Sequence, residues 1–296
     1  MTIQTEKVKQ IFNEMSDEYD NLNDLYYSYT FSQIDKTLIN YFQIDDTQSN
    51  KPLALDVGCG TGIQSLRLAK LGYKVIGIDI SENLVNIAKQ KLKNSGIDDA
   101  EFYLINAESI PFEDNFFDVV NCCGPTLPFI EKWQQTLSEI SRVLKPNGKF
   151  LLEVEGKWNF DIFWEVFNSI FFNILGYDES LKETLKHFKN IRKGHHIDYS
   201  FKLESGETVS MPLRLYTASE IRKNLYANNF IIKKRFGLHS ITNIFPSTIL
   251  HNANPNKFVK ICFKILSSIE KKINSIYPFR SFACSLLIYS QKIKWK

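Results

Sequence analysis

The sequence predicts a doubly wound α/β fold, a mostly parallel sheet with helices on both faces. Three observations predict it. Short apolar runs alternate with helical spacings between residues 53 and 156; the first run passes into a turn with glycine at every second position; the second run ends on an acid. Strands that alternate with helices at this rhythm need crossover connections, which makes the sheet parallel and buries both faces.

The elements follow in order. Ile11, Met15, Tyr19 and Leu22, then Ile34, Leu38 and Tyr41/Phe42, recur at helical spacing, so residues 1–50 form a helical leader. It closes in a polar loop, Asp45 to Pro52. Leu53 to Val57 is the first strand, and the helix after the glycines is expected to turn Ile63, Leu66, Ala69 and Leu71 inward. Lys74 to Asp79 is the second strand. Ser81 caps a helix carrying Leu84, Ile87, Ala88 and Leu92, which Gly96 stops. Glu101 to Ile105 and Phe117 to Cys122 are the third and fourth strands. A helix through Trp133, Leu137, Ile140 and Leu144 stops at Lys145-Pro146-Asn147-Gly148, and Phe150 to Glu155 is the fifth strand.

The rhythm then breaks. Residues 158–216 read as an inserted cap: an aromatic helix over 158–176, then a hairpin of Tyr199–Leu203 and Thr208–Leu215 around Glu204-Ser205-Gly206-Glu207. Thr217-Ala218-Ser219-Glu220 has the form of a capping box. Phe230 to Arg235 and Leu286 to Ser290 are two more strands. The insertion between them, 237–283, is too long for a structureless loop and is expected to hold helices. The chain thus divides into 1–50, a core at 51–157, the cap at 158–216 and a C-terminal part at 217–296.

Composition narrows the class. Net charge is +3, yet Lys257 to Lys296 holds nine Lys/Arg against one acid, Glu270; that stretch is +8 and residues 1–256 carry −5. A basic tail on an acidic body suits an anionic contact or a solvated face. Five cysteines without a C-x-x-C pair fit no disulfide framework and point to a reducing cytoplasm. The N-terminal residues lack a signal peptide's apolar core, and no apolar run is long enough to span a bilayer.

The chemistry concentrates at Leu55-Asp56-Val57-Gly58-Cys59-Gly60-Thr61-Gly62. Glycine serves where backbone takes positive φ or approaches a ligand closely, and the next helix offers free N–H groups to an anion. The dinucleotide fingerprint would need glycine where Ile63 stands. Asp79, closing the second strand, can accept both hydroxyls of a ribose.

With LDVGCGTG, VIGIDIS, NAESIPFEDNFFDVV and LSEISRVLKPNGKFLLEVEG in order, residues 53–156 resemble the core of class I S-adenosylmethionine-dependent methyltransferases. The resemblance implies a Rossmann-like, seven-stranded sheet whose last strand runs antiparallel, with S-adenosyl-L-methionine as cofactor. By position it implies that Asp56, Gly58 and Gly60 surround the methionine portion, that Asp79 holds the ribose, and that Ile80 lies against the adenine. Asn106-Ala107-Glu108 would meet the adenine edge, with Cys122 at the end of the fourth strand beside the donor. Asn106 departs from the usual Asp, and its side-chain oxygen can still accept from an amine. Phe12 to Asp20 is similar to the leader of quinone-type and other small-molecule methyltransferases, in which a Tyr-Asp element, here Tyr19-Asp20, folds over the donor. Asn121-Cys122-Cys123-Gly124 lacks the N-P-P-F/Y pattern of enzymes that methylate nucleobase amines, so no nucleic-acid partner is expected.

Methyl transfer needs alignment and dryness more than a fixed catalytic motif. Glu153 and Glu155 share one face of the fifth strand, and Glu155 sits at its C-terminal end, where open α/β sheets bind ligands. Glu155, His195 and His196 are the catalytic candidates; no metal site is expected. Phe160, Phe163, Trp164, Phe167, Ile170 and Phe171 crowd the cap, either as lining for a lipophilic or aromatic acceptor or as core or a dimer contact. Residues 256–276 read as an amphipathic helix. Lys257, Lys260, Lys264 and Lys271 share one face, and Phe258, Cys262, Ile265, Ile269 and Ile273 another. Such a helix either makes a peripheral membrane contact or docks on the domain with its lysines outward. Two other readings stay open: a nucleotide-cofactor oxidoreductase, which Ile63 disfavours, and a non-catalytic binding or scaffold protein on this fold, which the intact glycine loop and Asp79 disfavour.

Overall fold

The computed structural model describes residues 2–16, 19–21, 24–44, 50–171, 174–177, 181–189, 191–202 and 208–293. Leu22, most of the polar loop 45–52 and the hairpin turn Glu204–Glu207 lie outside the described residues.

Two helices lead, α1 (Ile3–Glu14) and α2 (Leu25–Tyr41). Asp24 caps α2 by accepting from Tyr27 N, and Ile34, Leu38 and Phe42 are buried. The alternation follows: β1 (Leu53–Val57), α3 (Ile63–Lys70), β2 (Lys74–Asp79), α4 (Glu82–Ser95), β3 (Ala100–Leu104), β4 (Phe117–Cys122), α5 (Trp133–Val143) and β5 (Leu144–Glu155). The cap holds α6 (Asp161–Ile170), α7 (Leu181–Lys189), β6 (His195–Lys202) and β7 (Thr208–Leu215). After α8 (Ala218–Ala227) comes β8 (Phe230–Leu238), then α9 (Ser247–Leu250), α10 (Lys257–Ile273) and β9 (Ser285–Lys292).

The main sheet has seven strands in the order β3-β2-β1-β4-β5-β9-β8. β1 to β5 pair in parallel, and β9 lies antiparallel between β5 and β8. Apolar clusters cover both faces: Leu55, Ile78, Val120, Leu137, Phe150 and Leu152 on one, Ala54, Val75, Leu68, Phe102, Leu151 and Leu287 on the other. The order reverses at β1 and β4, so the crevice beyond their carboxyl ends is where a ligand fits.

Four local differences from the sequence reading have physical causes. α3 buries Gln64, Ser65, Leu68 and Ala69 while Ile63 is exposed; Ser65 faces inward because its hydroxyl donates to Asp56. α5 ends at Val143 and Leu144 already pairs with Phe117, so residues 145–148 bulge from the ladder before Lys149 pairs with Val119. The Thr217 hydroxyl caps α8 by accepting from Glu220 N, but the Glu220 carboxylate turns away to Gly194 N and Arg214. The 237–283 insertion holds helices, and α10 docks on the domain with its lysines outward, but through a face other than the expected apolar one: Val259, Phe263, Ser267 and Glu270 are buried, while Phe258, Ile265 and Ile269 stay exposed.

The aromatic helix of the cap is not core either. Ile162 and Asn168 are its buried residues, whereas Phe163, Phe167 and Ile170 reach solvent. Among the described residues, no helix is long and apolar enough to cross a membrane.

Candidate functional site: a cleft at the switch point of the sheet

A cleft opens beyond the carboxyl ends of β1, β2 and β4. Gly58 shapes its floor. Its φ is +69°, and a Cβ added there would meet Thr126 Cγ2 at 2.2 Å. Only glycine fits such a position without displacing the neighbouring loop. The amides of Gly58 and Cys59 both donate to the Ile78 carbonyl, at 2.8 and 3.0 Å, which clips the loop to β2.

Two carboxylates organise this corner. Asp56 is buried beneath the loop and does not line the cleft. Its Oδ2 accepts from Ser65 Oγ at 2.6 Å and its Oδ1 from Asn121 Nδ2 at 2.8 Å. Burial pushes its pKa up to about 6, against these hydrogen bonds, which lower it. Asp79 does line the cleft. Its Oδ2 accepts from Gly60 N and its Oδ1 from Ser81 N, both at 2.9 Å. Burial raises its pKa, and the amides of Ser81 and Gly60 oppose the rise. A carboxylate fixed by two amides at a strand end presents its remaining lone pairs in a defined direction, as a diol requires.

The leader roofs the cleft. Tyr19 lies over the loop, its ring 3.4 Å from the place of a Gly60 Cβ, and Thr61 Oγ1 donates to Asp20 Oδ1 at 2.7 Å. Burial, then the charge of Asp79, raises the Tyr19 phenol well above the ordinary range. Phe12 of α1 packs edge-on to both Tyr19 and Phe129.

Of the residues singled out from the sequence, Tyr19, Gly58, Asp79, Ile80, Asn106, Ala107 and Glu108 line the cleft; Asp56, Gly60 and Cys122 do not. Cys122 is wholly buried, and burial raises its thiol well above the usual range. The Asn106 oxygen, expected to face an amine, already accepts from Glu108 N at 2.9 Å and forms a local turn. Glu108 Oε1 accepts from Lys132 N at 3.1 Å, tying this wall to the start of α5. Thr5 and Val8 of α1, together with Gly124, Pro125, Thr126 and Ile130 after β4, also line it. The helical spacing Thr5-Val8-Phe12 was the available signal for the roof; the loop after β4 carries none.

Neither His195 nor His196 lines the cleft. His195 lies on β6, edge-on to His187 with centroids 4.4 Å apart, and burial pushes its pKa down to about 3. Burial also lowers His196, on a strand whose partner residue is Arg214. Neutral imidazoles within a hairpin fit packing.

Glu155 closes β5 and, like the two histidines, does not line the cleft. Burial raises its carboxyl well above the usual range, and its charged neighbours, Glu153 and Asp161, are both acids that push the same way. Tyr26 and Tyr27 stand within reach of its charge. An aromatic row leads there from the cleft. Phe31 comes within 3.8 Å of a Cβ placed at Gly124, Tyr27 stacks on Phe31 at 6.1 Å, and His251 meets Tyr27 at 5.0 Å. The Asp24 carboxylate holds His251 Nδ1 at 2.9 Å.

The strand order, the glycine turn at the switch point and the acid closing β2 define a nucleoside-binding α/β enzyme of the methyltransferase kind. A methyltransferase-domain family model matches residues 55–152. A demethylmenaquinone methyltransferase of Lactococcus lactis is 32% identical over 199 residues, covering 64% of this chain and 75% of that one. A demethylmenaquinone methyltransferase of Bacillus cereus is 36% identical over 149 residues, covering 49% of this chain and 61% of that one. The fold is shared with an S-adenosylmethionine-dependent methyltransferase from Methanosarcina mazei, with TM-score 0.53 and 21% identity over 87% of this chain and 98% of that one. The chain belongs to the class I S-adenosylmethionine-dependent methyltransferases.

Proposed function

We propose that this enzyme moves the methyl group of S-adenosylmethionine to a lipophilic, quinone-type small molecule. The carrying observation is the junction at Gly124, where the donor cleft meets the aromatic row of Phe31, Tyr27 and His251 beside Glu155. The names of the Lactococcus and Bacillus relatives support the acceptor class.

The cleft's residues suit the donor. Asp79 would accept the ribose hydroxyls, Ile80 would pack on the adenine, and Ala107 and Glu108 would bound its edge. Gly58 would border the methionine portion, with Gly60 N fixing Asp79, Asp56 supporting the loop from below and Tyr19 closing it from above. The donor, when bound, supplies a methyl group on a sulfonium, already activated for displacement. The protein's task is to line up the acceptor atom with that methyl and to exclude water. The acceptor forms the new bond to the methyl carbon as the sulfur–carbon bond breaks, and the proton it releases goes to a Glu155 carboxylate oxygen. A carboxylate with a raised pKa is a stronger base than an ordinary one.

The division into leader, donor core, cap and C-terminal part is functional in this reading: 51–157 binds the donor, 1–50 covers it and brings Phe31 and Tyr27 to the acceptor, 217–296 adds His251, and 158–216 meets that row through Tyr199, hydrogen-bonded to Tyr27. The segment 256–276 would make the peripheral membrane contact from which a lipophilic acceptor is reached. Calorimetric titration with S-adenosylmethionine, beside an Asp79→Ala variant, tests the donor site. Micromolar binding weakened at least about tenfold in the variant is expected, the value of one or two hydrogen bonds to a charged group. Absence of binding by the folded wild type overturns the site. Methyl transfer to detergent-solubilised demethylated quinones, read as product mass, tests the acceptor.

A further inference from the structure

α10 buries the wrong face for a helix that only needs to dock. Its 17 residues make three apolar or basic sectors. The sector against the protein contains Val259, Phe263, Ser267 and Glu270. Glu270 is fully buried and accepts from the backbone amides of His239, Ile241 and Thr242 at 2.8, 2.8 and 2.9 Å. Phe263 packs edge-on to Tyr29 of α2. This anchoring fixes the helix's rotation and turns a more apolar sector to solvent. Phe258, Ile261, Ile265 and Ile269 are 69, 60, 56 and 47% exposed. Their spacing of three and four residues makes one continuous stripe. Just beyond the helix, Ile276 and Tyr277 are exposed as well.

The charge is arranged beside that stripe. At 100° per residue, Lys257, Lys260, Lys264 and Lys271 form a row along one flank, between the stripe and the buried sector. All four are exposed, and Glu270, the one acid of the helix, is sealed inside. An apolar stripe with a row of lysines next to it and no exposed acid is complementary to acyl chains beneath anionic headgroups. A second copy of the chain is the competing occupant. An isologous contact must be self-complementary, and this helix offers its own lysine row no acid to meet.

Asp161 N donates to Asn243 Oδ1 at 3.0 Å and Trp164 Nε1 to the Asn243 carbonyl at 3.3 Å, which ties α6 to the same insertion. α6 carries Phe163 and Ile170, 63 and 58% exposed.

We propose that the enzyme docks on an anionic lipid surface through Phe258, Ile261, Ile265 and Ile269 of α10, with the flanking lysines on the headgroups. The partner is the lipid surface itself, and the inference deepens the proposed function, resting on it for the reason a docked enzyme would be useful.

The test is co-sedimentation of the full chain with vesicles of phosphatidylcholine alone and of phosphatidylcholine mixed with phosphatidylglycerol. Binding to the anionic vesicles is expected to be at least about tenfold tighter than to the neutral ones and to weaken as salt is raised. Ile261→Ser with Ile265→Ser should reduce it at least about tenfold, and Lys260→Gln with Lys264→Gln should remove most of the preference for anionic lipid. These side chains are exposed, so thermal melting and S-adenosylmethionine binding should stay as in the wild type. Absence of vesicle binding, or equal binding by the Ile261/Ile265 variant, overturns the proposal. So does a concentration-dependent dimer that the same variant abolishes. Methyl transfer to quinones in detergent is measured on the same preparations: its failure removes the acceptor reading and leaves the vesicle result standing, and the reverse holds equally.

Discussion

Asn121 reaches across from β4 to donate its side-chain amide to Asp56 Oδ1 at 2.8 Å, joining two neighbouring strands beneath the glycine turn. With Ser65 on the other oxygen, both carboxylate oxygens are partnered and the whole group is buried.

Burial of that carboxyl, which outweighs its two hydrogen bonds, makes stability depend on pH. Asp56 has a folded-state pKa of about 6 against 3.8 for the free side chain. Between those values the folded protein holds a proton that the unfolded chain has released. Stability contributed by the protonated form is therefore full below about pH 4, falls as pH rises toward 6, and is level above. The span is at most about 3 kcal/mol. Asp56→Asn keeps the shape, and the Ser65 hydroxyl can rotate to accept. Urea midpoints taken from pH 4 to 7 should show a flatter profile for the variant than for the wild type; identical slopes would place the proton elsewhere.

Gly58→Ala should cost roughly 1–3 kcal/mol from its left-handed backbone, with the Thr126 contact added. Thr126→Gly in the same chain should return only the contact part. A double-mutant cycle in urea separates the two, and full additivity would mean that the turn relaxes away from Thr126.

Glu270→Ala leaves the buried amides of His239, Ile241 and Thr242 without an acceptor. A loss of about 3 kcal/mol or more is expected. Hydrogen exchange should rise first over 239–274, while affinity for the donor changes by less than about twofold. Unchanged exchange there would show that α10 is held by other contacts.

Glu155→Gln should lower kcat by roughly 10²–10⁴ with the donor's Kd unaltered, the range of a lost general base. His195→Gln and His196→Gln should leave kcat within about twofold, since both imidazoles lie on β6, away from the aromatic row, and burial keeps them neutral. A large kcat effect at His195 with Glu155→Gln active would transfer the base to the hairpin.

The donor half of the molecule was legible because its signals are local. A glycine turn after a strand and an acid closing the next strand are fixed by backbone geometry, so Gly58 and Asp79 could be placed from sequence. Asp56 was legible as a residue of the site but not as a buried support, because its partners Ser65 and Asn121 come from a helix and a distant strand. Ile63 and Leu66 misled for the same reason: periodicity assumes apolar residues turn inward, and here a carboxylate required a serine there. His251 escaped notice altogether, since its contacts with Asp24 and Tyr27 join segments far apart in the chain. α10 showed its amphipathic character in sequence, yet which sector faced the protein depended on three backbone amides at the exit of β8.

The excursion that carries α10 leaves at Leu238 and returns at Ser285, and those two residues stand opposite each other in the ladder between β8 and β9. With the stem pinned in this way, the solvent-facing side of α10 can change without disturbing strand register. That outer side is thereby open to selection of its own, while the same excursion keeps His251 against Tyr27 and Asp24.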